Sequence, residues 1–245
     1  MTQRFSSTHS FLSSAMTFSY FITTINDSDS SARVDPVQLA RIAQAIRLTP
    51  GLVRAELYTP ADVETYHRDG PAPLLALRLE FESIESLEAQ ITDGGYLQAL
   101  ARSPDWADIP AMRIEHQAML TRTFLPLSIV SQETPLCSYL VHYPGAASSM
   151  NDWLRYYLAH HPQIMRDYPE VRQIHVFTRI DWCDAMPWER VDHMQRNMLS
   201  FPSPTSMLAA LESTTRARMR EDNGKFPPFS GGAIHFPMTT TLLQQ

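Results

Sequence analysis

Apolar positions along this chain switch between a period of two and a period near 3.6, and the same succession occurs twice. Residues 18–25 and 138–143 are β-rich runs. Helical spacing follows each, over 36–48 and 151–167. Two further strand-like runs come next, 53–58 with 74–81 and 171–179 with 192–201. A second helical stretch follows, 84–101 and 204–221, and a last strand ends each half, 112–121 and 233–241. Strand–helix–strand–strand–helix–strand is the ferredoxin-like order.

The two halves also share residues. Phe18-Ser19-Tyr20 recurs as Cys137-Ser138-Tyr139, and Pro50-Gly51-Leu52-Val53-Arg54 as Pro169-Glu170-Val171-Arg172. Phe81, Ser83, Ser86, Leu87 and Ala89 recur as Phe201, Ser203, Ser206, Met207 and Ala209. His116 and Met119 recur as His235 and Met238. The offset stays between 118 and 120, a register that chance matches in four segments would not keep. The chain therefore divides into a loose Ser/Thr-rich leader (1–16), a first half (17–122), a linker carrying two prolines (123–136) and a second half (137–245). A lone unit of this kind keeps both helices on one sheet face and leaves the other bare and apolar. Two units bury those bare faces against each other. The expected fold is α+β: two tandem ferredoxin-like units closing as an intramolecular α/β barrel. A monomer is then viable, and a homodimer would use helix surfaces or sheet edges.

Composition narrows the function. Hydrophobic residues make up 44 % of 245, enough for packed cores. A net charge of −6 argues against a nucleic-acid partner. Two cysteines, Cys137 and Cys183, form neither a disulfide framework nor a zinc spacing, which suits a reducing cytoplasm. No run of about 18 apolar residues predicts a membrane span. There is no metal-binding spacing, no glycine-rich phosphate loop and no nucleophile elbow, so neither a metal nor a cofactor is expected.

In the second half, Trp153-Leu154-Arg155-Tyr156-Tyr157-Leu158-Ala159-His160-His161-Pro162, then Tyr168-Pro169-Glu170-Val171-Arg172, then Asp222-Asn223-Gly224-Lys225-Phe226, resemble the EthD-like group of the dimeric α/β-barrel superfamily. The resemblance covers about 100 residues; the first half matches in layout alone and lacks the Tyr-Tyr and His-Pro elements. It implies the fold. It also implies a range of activities, from cofactor-free monooxygenases through cyclases, dehydratases and isomerases to binding proteins.

Within the second half, Leu154, Tyr157, Leu158, His161, Ile164 and Met165 form one helical stripe toward the sheet. His161 aligns with Ile42 of the first half, so an imidazole replaces aliphatic packing. A histidine on a core stripe needs a hydrogen-bond partner, and it is either a satisfied structural residue or a proton-transfer group. His142 and His193 are further acid–base candidates, and Tyr157 or Arg190 a candidate for steadying an oxyanion. His193, Gln195 and Asn197 alternate along a predicted central strand and are expected to share one face, with Gln195 and Asn197 on a pocket wall. Trp182, Trp188 and Phe226 are candidates for enclosing a small hydrophobic molecule, with residues 181–190 as a lid or as a rim-packed loop. His175, on what is an edge strand of a single unit, and His235, matched by His116, read as structural.

These residues fit a metal- and nucleotide-independent enzyme. It would act on a small hydrophobic, aromatic or polyketide-like compound by acid–base proton transfer of lyase, dehydratase or isomerase type. The alternatives are a cofactor-free monooxygenase and a non-catalytic binding protein.

Overall fold

The computed structural model describes residues 16–29, 31–63, 69–111, 113–126 and 137–243. The leader as far as residue 15 and most of the linker lie outside the described residues. The first half runs β1 (Thr17–Ile25), α1 (Pro36–Arg47), β2 (Leu52–Pro60), β3 (Leu75–Phe81), α2 (Ile84–Ile91), α3 (Tyr96–Leu100), α4 (Pro104–Ala107) and β4 (Arg113–Phe124). The second runs β5 (Cys137–Tyr143), α5 (Met150–Met165), β6 (Gln173–Arg179), β7 (Glu189–Arg190), β8 (Gln195–Phe201), α6 (Pro204–Glu212), α7 (Thr214–Asn223) and β9 (Ile234–Leu243).

Each half orders its strands alike, β4-β1-β3-β2 and β9-β5-β8-β6. The outer strands then pair across halves, β2 with β9 and β4 with β6, and eight antiparallel strands close into one barrel. The two α/β units meet as expected, with their bare faces lining the barrel. Closure also uses the outer strands, so β6, with His175, is an edge of its own unit and not of the barrel.

The duplication extends to local geometry. Gly51 and Glu170 both sit at positive φ, +73° and +56°, and Glu170 is the one non-glycine there among the described residues. Ser83 caps α2 by accepting from the Ser86 N–H at 3.1 Å, and Ser203 caps α6 from Ser206 at 3.0 Å. Inside the barrel, Ser19 bonds Thr121 at 2.8 Å and Ser138 bonds Thr240 at 2.7 Å.

Both long helices expected over 84–101 and 204–221 are interrupted. A Cβ on Gly95 would lie 2.4 Å from the Gln90 carbonyl oxygen, and Gly94 takes φ +80°, so the chain turns between α2 and α3. Ser213 is extended (ψ 166°), which separates α6 from α7.

Three apolar clusters result. One lies under the first half's helices (Tyr20, Ile42, Leu77, Trp106) and one under the second's (Tyr139, Trp153, Tyr157, Phe201). The third fills the barrel (Phe21, Tyr58, Met119, Phe177) beside a buried ion pair, Arg78–Glu56 at 2.9 Å. Burial opposes ionisation of Glu56, but Arg78 and Arg54 outweigh it and hold the carboxyl well below its usual range. No helix among the described residues is long and apolar enough to cross a membrane.

Candidate functional site

The helix α5 begins at Ser149, whose hydroxyl accepts from the Asp152 N–H. It buries Trp153, Tyr157, His161 and Met165 at four-residue spacing against the second half's sheet. Trp153 stacks on Tyr157 with centroids 4.9 Å apart, and the Tyr157 ring contacts the His161 imidazole at 4.8 Å. Phe226, just beyond α7, covers the same imidazole edge-on at 4.9 Å. These rings fix the orientation of His161, which is 5 % exposed.

The partner His161 requires is Asp222, on α7. His161 Nδ1 donates to Asp222 Oδ2 at 2.7 Å, and the Tyr156 hydroxyl donates to Oδ1 at 3.0 Å. A carboxylate only accepts, so the proton of the neutral ring sits on Nδ1 and Nε2 presents its lone pair. No hydrogen bond engages Nε2 among the described residues. Burial lowers the pKa of His161 and Asp222 raises it; burial prevails, so the ring is neutral at pH 7.

His161 forms part of the wall of a cavity of about 280 Å³ between the second half's sheet and its helices. Tyr139, Tyr143, Asn197 and Phe201 form the sheet side, and Met165 and Met219 the helix side. Asn197 donates to the Tyr157 hydroxyl and accepts from Gln195 at 2.9 Å. The Tyr143 hydroxyl joins this network, and burial pushes it up to about 12. Asn197 therefore lies on the cavity wall. Tyr157 and Gln195 stand behind it, fully buried, and hold it in place.

The other candidates lie elsewhere. The residue at 193 precedes β8, which starts at Gln195, so the alternation expected for His193 fails. Its ring packs on His142 at 5.4 Å, away from Asn197. His142 points into the barrel, where its Nε2 accepts from Arg196 at 3.3 Å. Burial pushes His193 down to about 3 and His142 well below the ordinary imidazole value. Neither is among the residues lining the 280 Å³ cavity, nor is Tyr157, and of the three acid–base candidates only His161 is.

Residues 181–190 do not cover the second half's cavity. They cross to the first half, where Trp182 packs on Tyr20 (6.1 Å) and His116 (5.2 Å), and Trp188 on Trp106 (4.9 Å). Arg190 pairs with Asp184 at 3.1 Å and stacks over Trp182 at 4.0 Å. A larger opening of about 590 Å³ lies at one barrel end by Arg54, Arg78, Arg172 and His175. Its Arg54 and Arg78 are spent on Glu56 and Glu80, so it presents no comparable chemistry.

Sequence reasoning singled out neither Asp222 as a partner nor Tyr139, Arg216 and Arg220 as cavity residues. Asp222 was visible only as the start of the Asp-x-x-x-Phe segment. The arginines were visible only as a charged helix, which ordinarily signals a solvated face. Among the described residues no group of three or more His, Cys, Asp or Glu could hold a metal ion.

No family model matches the chain, and no curated protein matches it. Solved structures do. An anthrone oxidase-like protein matches over 95 % of both chains with TM-score 0.60 and 9 % identity. A protein provisionally assigned as a monooxygenase, from Lactobacillus acidophilus NCFM, matches over 93 % of this chain and 95 % of its own, with TM-score 0.56 and 9 % identity. Chlorite dismutase from Candidatus Nitrospira defluvii matches over 91 % of each chain, with TM-score 0.53 and 10 % identity. At these identities the likeness establishes the fold, a dimeric α/β barrel within one polypeptide.

Proposed function

We propose that the chain is an enzyme that binds a small apolar, aromatic or polyketide-like compound in the second half's cavity and moves a proton with His161. The observation that carries this reading is His161 on the cavity wall, bonded through Nδ1 to Asp222 and with Nε2 unengaged among the described residues, where the first half places Ile42 in a closed core. A neutral imidazole at this position can accept a proton from an acidic C–H or O–H of the substrate. Asp222 then stabilises the imidazolium as it forms, and the proton is returned to another atom or to a leaving group. Isomerisation and elimination both need no more than this. The same abstraction from a phenol gives an electron-rich phenolate, the species a cofactor-free oxygenation starts from. The anthrone oxidase-like neighbour motivates that second reading. Since each half already has its partner, a monomer suffices for the site.

The test begins by identifying co-purifying ligands by mass spectrometry and assaying compounds of that class. His161→Asn is expected to lower turnover by roughly 10²–10⁴-fold, the usual size for acid–base catalysis. Turnover within a few-fold of the parent would remove His161 from the chemistry. Tight binding with no turnover by the parent protein would favour a binding protein.

A further inference from the structure

Tyr139 and His235 of the second half stand 119 residues after Tyr20 and His116 of the first. In the first half the Tyr20 hydroxyl and His116 Nδ1 are 2.8 Å apart and satisfy each other. In the second half the rings lie nearly parallel, with centroids 5.5 Å apart, and His235 turns its Nδ1 to Asp69 at 2.6 Å. The Tyr139 hydroxyl is left buried with no hydrogen-bond partner among the described residues, on a residue 5 % exposed that lines the cavity. A hydroxyl stranded in this way costs free energy unless something else fills the space and accepts its hydrogen bond.

The charges around the cavity indicate what that group is. Arg216 and Arg220, one turn apart on α7, both line it. No carboxylate is among the described residues that do. The acids nearby are occupied, Asp222 by His161 and Tyr156 and Asp69 by His235. Apart from His161, His235, Asn197 and Asn223, the remaining wall is aromatic and aliphatic, including Tyr143, Met165, Leu199 and Phe201. We infer that the ligand of this cavity is an aromatic compound bearing an ionised oxygen, a carboxylate or a phenolate, which accepts from Tyr139 and faces Arg216 and Arg220. This rests on the cavity being the substrate site. It adds a specificity-determining residue, Tyr139, that takes no part in moving the proton. Burial, with Tyr168 and Asp69 adding to it, drives the Tyr139 pKa up, so its hydroxyl keeps the proton it donates.

Isothermal titration with 2-naphthoate, 2-naphthol and methyl 2-naphthoate tests this on the intact chain. At least one of the two acids should bind at least about tenfold more tightly than the ester, and more weakly as salt rises. Naphthoate binding marks a carboxylate site; naphthol binding with proton release marks a phenolate site. Tyr139→Phe should weaken the preferred acid by about tenfold and leave the ester within about twofold. Arg220→Gln, on an exposed side chain, should weaken the acid by about threefold and flatten the salt dependence. An ester bound as well as the acids, Tyr139→Phe without effect, or no binding by any of the three would overturn the inference. None of these results touches the effect of His161→Asn on turnover, so the two readings fail separately.

Discussion

The two halves of this molecule use the same sheet and nearly the same Tyr/His pair, yet one is filled and the other is hollow. In the first half Tyr20 and His116 bond each other, Ile42 occupies the helix position, and Trp182 and Trp188 close the space from outside. In the second half His161 replaces Ile42 and bonds Asp222, and the Tyr139 hydroxyl has no partner among the described residues. Each half sends a loop to the other. Asp184, between β6 and β7, lies 3.8 Å from His116, and Asp69, between β2 and β3, bonds His235. The same fold thus carries a packed arrangement in one half and polar groups facing a cavity in the other.

That contrast can be broken at several points. Beyond the rate loss expected for His161→Asn, the largest stability effect should come from Trp182→Ala. This residue is 7 % exposed and fills the first half's counterpart of the cavity. Its loss should cost about 3–5 kcal/mol, as large-to-small core changes do. Denaturant unfolding measures this, and a cost under about 1 kcal/mol would mean the first half is not held shut by this loop.

Acid should come next. Burial lowers the pKa of His116 (to about 4), His142 and His161. Each binds its proton more weakly when folded, so the stability each contributes is complete above the unfolded value near 6.5. It is lost as pH falls from there through the folded value, at up to about 1.4 kcal/mol per pH unit per histidine. For His116 the window is about pH 6.5 down to about 4. Melting temperatures between pH 7.5 and 4.5 should fall steadily below pH 6.5. A flat profile would mean these rings charge freely in the folded state.

The finest test is a matched pair of tyrosines. Tyr20→Phe strands a buried His116 nitrogen and should cost about 1–3 kcal/mol. Tyr139→Phe removes a hydroxyl that has no partner among the described residues and should leave the melting temperature unchanged or raise it. Equal losses in the two variants would mean that Tyr139 is satisfied as Tyr20 is.

Much of this was legible in the sequence because it was written twice. The repeat of Ser83/Ser86 as Ser203/Ser206 marks two helix starts, and the constant register predicts the paired units. His161 stood out by contrast with Ile42. The repeat did not show the bonds: His235 reads as structural because His116 repeats it, yet His116 bonds Tyr20 and His235 bonds Asp69. Asp222 sits 61 residues beyond His161 on a helix full of charge, and nothing local marks it as the buried member. The alternation placing His193 beside Asn197 failed because β8 begins two residues later, at Gln195. The Trp182 loop was assigned to the half it leaves and packs on the half it reaches, since sequence shows what a loop carries but not which face it covers.

The central claim is that His161 is a neutral, oriented proton acceptor facing the cavity. Nitrogen NMR of protein labelled in its histidine rings, with His161 assigned by loss of its signals in His161→Asn, tests this directly and needs no substrate. At pH 7 the account predicts a protonated Nδ1, an unprotonated Nε2, and an Nε2 resonance that moves when a cavity ligand such as 2-naphthoate is added. A ring protonated on Nε2, or one charged on both nitrogens at pH 7, would contradict it.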